Sequence, residues 1–139
     1  MKLADFGLTK RLAGDTVLHT RAGTTAYMAP EVLGYFEASS WSSNEGYSNA
    51  VDLWAFGCII YRLVTGVVPF PQSRNLIEYC EDKFPFPEDA LSDITVKGAR
   101  FIRQLLHANP NDRLTTSEAL QHPWISGKTS LIRQTYLNS

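Results

Sequence analysis

Asp5-Phe6-Gly7 places a carboxylate at the end of a weakly alternating stretch, MKLADF, just before a glycine turn. A carboxylate there is a hard oxygen donor and could hold a hard divalent cation. The bland alternative is an acidic residue closing a short strand before a turn. The other groups that could do chemistry are scattered. His19, His107 and His122 lack the spacing of a metal site, and the thiols Cys58 and Cys80 form neither a CxxC pair nor a disulfide framework. Gly127-Lys128-Thr129 resembles the end of a phosphate loop, but His122 stands where that loop needs its first glycine and no strand precedes it. No nucleophile–base pair stands out.

The elements that must position these groups are mainly helical. Residues 8–30 are rich in Thr and Gly without helical period and read as an extended loop, with one helical turn expected at APEVLG. A polar, Ser-rich insertion follows in YFEASSWSSNEG. A helix is expected over Val51–Val64, capped by Ser48 or Asn49 and ended by Gly66. Twelve of those fourteen residues carry no charge, so the helix is apolar all round and should be enclosed by protein. Asp52 would sit in its first turn, where a negative charge meets the positive end of the helix dipole. NLIEYC allows a short helix. Residues 95–106 form an amphipathic one, with Ala99, Ile102, Leu105 and Leu106 opposite Lys97, Arg100 and Arg103. Thr115 and Glu118 have capping-box spacing and open a last helix that stops before Pro123. Trp124 and Ile125 should pack back on the core.

Bulk properties exclude several classes. The chain has 139 residues, 44% of them hydrophobic and 19% charged, which suits one domain or part of one. Its net charge of −1 offers no global field for nucleic acid or an anionic membrane. The uncharged apolar stretch Leu53–Tyr61 is too short to span a bilayer, and Gly7 is not followed by the apolar run of a leader peptide. An intracellular setting, cytoplasmic or nuclear, is expected.

Three segments stand in a telling order: Asp5-Phe6-Gly7, then AGTTAYMAPEVL with Ala29-Pro30-Glu31, then YSNAVDLWAFGCIIYRLVTGVVPF and LLHANPNDRLTTSEALQHPWI. Together they resemble the protein kinase family, in the part of its C-terminal lobe that runs from the DFG segment to the last helix. The resemblance covers residues 1–125 as a partial kinase domain, leaving 126–139 as a polar tail. It implies a short N-terminal strand, an activation loop and about four to five helices, with the N-terminal lobe absent. AGTTAYMAPE is similar to the Ser/Thr-specific branch, and RLTTSEALQHPWI to the calcium/calmodulin-dependent group.

The resemblance implies roles residue by residue. Asp5 would hold magnesium on the ATP phosphates, Phe6 would pack under the neighbouring lobe, and Gly7 completes the motif. Thr24 would lie beside the acceptor hydroxyl. Thr20 stands where many members carry an activating phosphate, the alternative being a loop threonine that is never modified. Glu31 and Arg113 would form a buried ion pair, and Asp52 would anchor the backbone of the catalytic loop. The family reaction transfers the ATP γ-phosphate to Ser or Thr of proteins. Yet no two glycines are spaced as G-x-G, and no histidine is followed by Arg-Asp. The catalytic-loop Asp and the strand Lys therefore lie outside these residues, and the chain alone is expected to be inactive. The alternative is a non-catalytic, pseudokinase-like module that binds a protein substrate or regulator. On either reading the missing lobe or another protein should cover the apolar helix, and Asp52 should be a buried carboxylate stripped of its donors.

Overall fold

The structure, a computed structural model, describes residues 25–35 and 44–127, and for 44–48 the backbone path alone. The expected strand, the loop up to Thr24, most of the Ser-rich insertion and the tail from 128 lie outside the described residues. Within them the order is a tight loop at 25–35, then helices α1 (Asn44–Thr65), α2 (Ser73–Cys80), α3 (Val96–Leu105) and α4 (Thr116–Gln121). A 3₁₀ turn at Asp89–Leu91 precedes α3, and a last helical turn occupies 123–127. No strand occurs among the described residues.

Helix α1 organises the rest. Ala50, Trp54, Cys58 and Tyr61 form one buried stripe, at the spacing of a single helix face. This stripe packs against α3 and the Asp89–Leu91 turn. Gly57 lets α3 come close, since a Cβ there would meet Leu105 Cβ and Leu106 Cδ2 at 2.9 Å. Gly66 ends the helix with φ +81°, a conformation costly for any side chain, and its N–H donates to the Arg62 carbonyl at 2.8 Å.

Two expectations about α1 need correction. The helix starts at Asn44 and runs through Ser48 and Asn49, so neither is its cap. Capping preference is a weak prior, and each residue added to an existing helix contributes a backbone hydrogen bond. Asp52 is consequently the ninth residue of α1, beyond the reach of the N-terminal dipole. It is also exposed, so it carries no burial cost. The helix is apolar all round but not enclosed by the described residues: Phe56, Ile59 and Leu63 on its outer face are 45%, 47% and 79% exposed.

The core has two parts. Beneath α1 an aromatic run stacks Trp54 on Phe70 (6.0 Å between centroids) and Phe70 on Tyr79 (4.9 Å). Phe86 then meets Tyr79 and Tyr61 at 6.2 and 6.1 Å. The Tyr61 hydroxyl donates to the Pro87 carbonyl, and that of Tyr79 to the Leu106 carbonyl, both at 2.9 Å. The second part gathers Phe101, Leu105 and Ala119 with Trp124 and Ile125 against them. Helix α3 is amphipathic as read, with Ile102, Leu105 and Leu106 buried and Arg100 and Arg103 exposed, and Thr95 caps it by accepting from Gly98 N. Thr115 and Glu118 form the capping box of α4.

Candidate functional site

The loop at 25–35 is the segment that follows Thr24, and its own sequence shapes it. Ala29 and Pro30 are buried, and the carbonyl of Ala29 accepts from Val32 N and Leu33 N at 3.0 and 3.1 Å. The Pro30 carbonyl accepts from Tyr35 N at 2.8 Å, while Gly34 takes the left-handed conformation (φ +74°) that reverses the chain. APEVLG thus makes a compact turn.

What pins this loop to the helices is one buried charge pair. Arg113 Nη1 donates to Glu31 Oε1 at 2.8 Å, and Nη2 to Oε2 at 3.0 Å, a fork-to-fork arrangement. The two side chains are 0% and 2% exposed. Arg113 reaches this position from the turn before α4 and is satisfied on every side. Its Nη1 also donates to the Ala50 carbonyl, and its Nε to the His107 carbonyl at 3.1 Å. Its guanidinium lies 5.0 Å over the Trp54 ring. One side chain therefore ties together the loop, α1, the end of α3 and the start of α4.

A second contact joins the loop to α1. Arg62 Nη1 donates to the Tyr27 hydroxyl. Tyr27, Ile59, Arg62, Leu63 and Gly66 line an open cleft of about 460 Å³.

Of the residues singled out in the sequence, Asp5, Phe6, Gly7, Thr20 and Thr24 lie outside the described residues. Glu31 and Arg113 are brought together, whereas Asp52 points to solvent with no ion pair among the described residues. His107 is exposed, and His122 is half-buried, its Nδ1 accepting from Trp124 N at 3.2 Å. Burial and the nearby Arg100 hold the His122 pKa below the usual histidine value. Burial pushes the Cys58 thiol up to about 12 and the Cys80 thiol up to about 11, so neither is an activated nucleophile. Among the described residues no group of three His, Cys, Asp or Glu side chains could hold a metal ion. Asp5, the residue to which the resemblance assigns magnesium, lies outside them. The sequence reading missed Tyr27 and Arg62, although Arg62 is the one charge in the long apolar run between Asp52 and Arg74. It also missed Trp54 as the platform under Arg113.

Comparison with known proteins gives this geometry its relatives. The family model described as "Protein kinase domain" matches residues 1–125. Serine/threonine-protein kinase cds1 of Schizosaccharomyces pombe is 39% identical over 129 residues, which cover 89% of this chain and 27% of that protein. The probable serine/threonine-protein kinase fhkC of Dictyostelium discoideum is 33% identical over 139 residues, covering 98% of this chain and 22% of the relative. The chain thus spans about a quarter of the length of these curated relatives. Among solved structures, that of the Rad53 kinase domain and SCD2 in complex with AMPPNP matches with a TM-score of 0.56 and 34% identity. The match covers 73% of this chain and 38% of that one.

Proposed function

The chain belongs to the protein kinase family, as part of its C-terminal lobe, and from that premise we propose that it is the substrate-side portion of a protein serine/threonine kinase. The whole protein would transfer the ATP γ-phosphate to Ser or Thr of other proteins. The observation that carries this reading is the Glu31–Arg113 clamp, which fixes the loop after Thr24 on a rigid helical floor. A loop held in this way suits the seating of an acceptor segment, because positioning supplies much of the barrier lowering in phosphoryl transfer.

The same reading assigns Asp5 to magnesium and Thr24 to the acceptor side, with Thr20 as a phosphorylation site. Without a glycine-rich phosphate loop, a strand lysine or a catalytic-loop Asp within its 139 residues, the chain by itself transfers no phosphate. The two free cysteines suit a reducing, intracellular compartment. No helix among the described residues is long and apolar enough to cross a membrane.

A second reading, a non-catalytic binding module, is favoured by one observation. The outer face of α1 exposes Phe56, Ile59 and Leu63, an apolar patch of the kind that partners cover. The native transcript separates the two. An in-frame upstream extension encoding H-R-D-x-x-x-x-N and a glycine-rich loop supports the kinase, whereas a stop codon just upstream with a matching short protein in cells supports the binding module.

A further inference from the structure

Helix α3 packs two of its faces and leaves a third beside an open groove. Ile102, with Leu106 just past the helix end, lies in the core under α1, while Phe101 and Leu105 meet Ala119 and Trp124. The remaining face carries Ala99, Arg100, Arg103 and Gln104. With the segment 88–94 it walls a groove of about 630 Å³, and no residue of α1 takes part. The apolar part of the lining includes Leu91, Ile94 and Ala99.

The polar groups of this groove are only partly answered. Arg103 Nη1 meets Glu88 Oε2 at 3.4 Å with both side chains more than half exposed, a loose pair that solvent screens. Arg100 is exposed and has no ion pair among the described residues. Residues three apart on a helix stand side by side, so two neighbouring guanidinia line the groove against one carboxylate. Gln104 Oε1 is buried and accepts no hydrogen bond. A sealed amide oxygen without a donor is costly. Rotation of the Gln104 side chain would bring that oxygen to the groove, which the residue already lines.

We propose that this groove docks an extended acidic segment of a partner protein, with an apolar side chain on Leu91, Ile94 and Ala99 and the carboxylates that follow it on Arg100 and Arg103. Gln104 then accepts from a backbone N–H of the segment, which an extended chain leaves unpaired. Charge and chemistry choose this occupant. A surplus of one cation beside an apolar floor suits a short acidic run next to a large aliphatic residue. Nucleic acid or an anionic membrane needs a cluster of cations, and Glu88 would repel it. A plain anion would leave the apolar floor and the amide unused. The inference does not rest on the kinase reading, since the groove contains none of the residues assigned to phosphate transfer.

The test is direct binding to the 139-residue chain, measured by fluorescence anisotropy. Three labelled peptides are used, blocked at both ends and identical except that the two residues after a leucine are Glu-Glu, Gln-Gln or Lys-Lys. The Glu peptide should bind about tenfold more tightly than the Gln peptide, as for two solvent-accessible charge pairs, and the Lys peptide least. That preference should vanish in the double variant Arg100→Gln/Arg103→Gln and persist in Arg74→Gln, an exposed charge on α2 outside the groove. Gln104→Leu should raise the urea midpoint, because it removes the unpartnered amide, yet weaken the Glu peptide about threefold. A merely structural role would move the midpoint alone. Circular dichroism checks that each variant keeps its helices, and the single arginine variants, each halving the preference on a logarithmic scale, decide the matter if the double variant does not fold. Five outcomes would overturn the proposal: equal affinity for the Glu and Gln peptides, a preference unchanged without the two arginines, affinity unchanged in Gln104→Leu, equal binding when the leucine is replaced by serine, or self-association that accounts for the signal. None depends on phosphate transfer, so the kinase reading stands or falls separately, on an activity assay of the longer protein.

Discussion

Removing one partner of the Glu31–Arg113 pair should cost more than any other single charge change in the described residues. In Glu31→Ala, the guanidinium loses two of its donors' acceptors, at 2.8 and 3.0 Å, in a site where both side chains are sealed from water. An unpaired buried charge left in this way typically costs about 3–5 kcal/mol. In Arg113→Ala, Glu31 is stranded, the Ala50 and His107 carbonyls lose a donor, and Trp54 loses its cation. Arg113→Ala should therefore be the worse of the two. A domain of ordinary size is stable by about 5–15 kcal/mol, so either change should remove a large part of that margin. The double variant Glu31→Gln/Arg113→Met should cost less than the sum of the single changes, because neither charge is left alone. Urea unfolding of the 139-residue chain, followed by tryptophan fluorescence, reads all three, since Trp54 lies beneath the pair. A loss below about 1 kcal/mol for Glu31→Ala, the range of an exposed pair, would refute the reasoning.

Other expectations follow from the same geometry. Gly57→Ala should destabilise by about 1–3 kcal/mol in the same assay, because the new methyl would meet Leu105 and Leu106 at 2.9 Å with no room to yield. Cys58 should react with a thiol reagent near neutral pH only as fast as the chain opens, being buried and held protonated up to about 12. His122 favours its neutral form in the fold, so its contribution is fully present above the ordinary histidine pKa and is lost as pH falls through its lowered folded value. Thermal melts should show stability dropping in mildly acidic solution, and His122→Gln should flatten that drop. Leu63→Glu, at a position 79% exposed, should leave helix content unchanged and reduce aggregation measured by light scattering.

Local signals in the sequence were legible, and distant ones were not. The capping box of Thr115 and Glu118 and the glycine stop at Gly66 involve groups within a few residues of each other, and the structure shows both. The amphipathic face of α3 was read, apart from Phe101, which completes it at 1% exposure. The start of α1 was misread because Ser48 and Asn49 are good caps but tolerable helix residues, and nothing local forbids the helix from running back to Asn44. The meeting of Glu31 with Arg113 spans 82 residues of sequence, and only the resemblance to kinases pointed to it. Tyr27 and Arg62, 35 residues apart, had no such guide. The exposure of Asp52 follows from which side of α1 faces the core, and that is set by Trp54, Cys58 and Tyr61 packing on α3.

The most direct test of the kinase reading is transfer of labelled γ-phosphate from ATP to a protein acceptor, comparing the purified 139-residue chain with Asp5→Asn and with the protein encoded by the complete native transcript. The expected result is no transfer by the short chain above the Asp5→Asn background, and transfer by the longer protein that the same substitution abolishes. Asp5-dependent transfer by the 139-residue chain alone would contradict it.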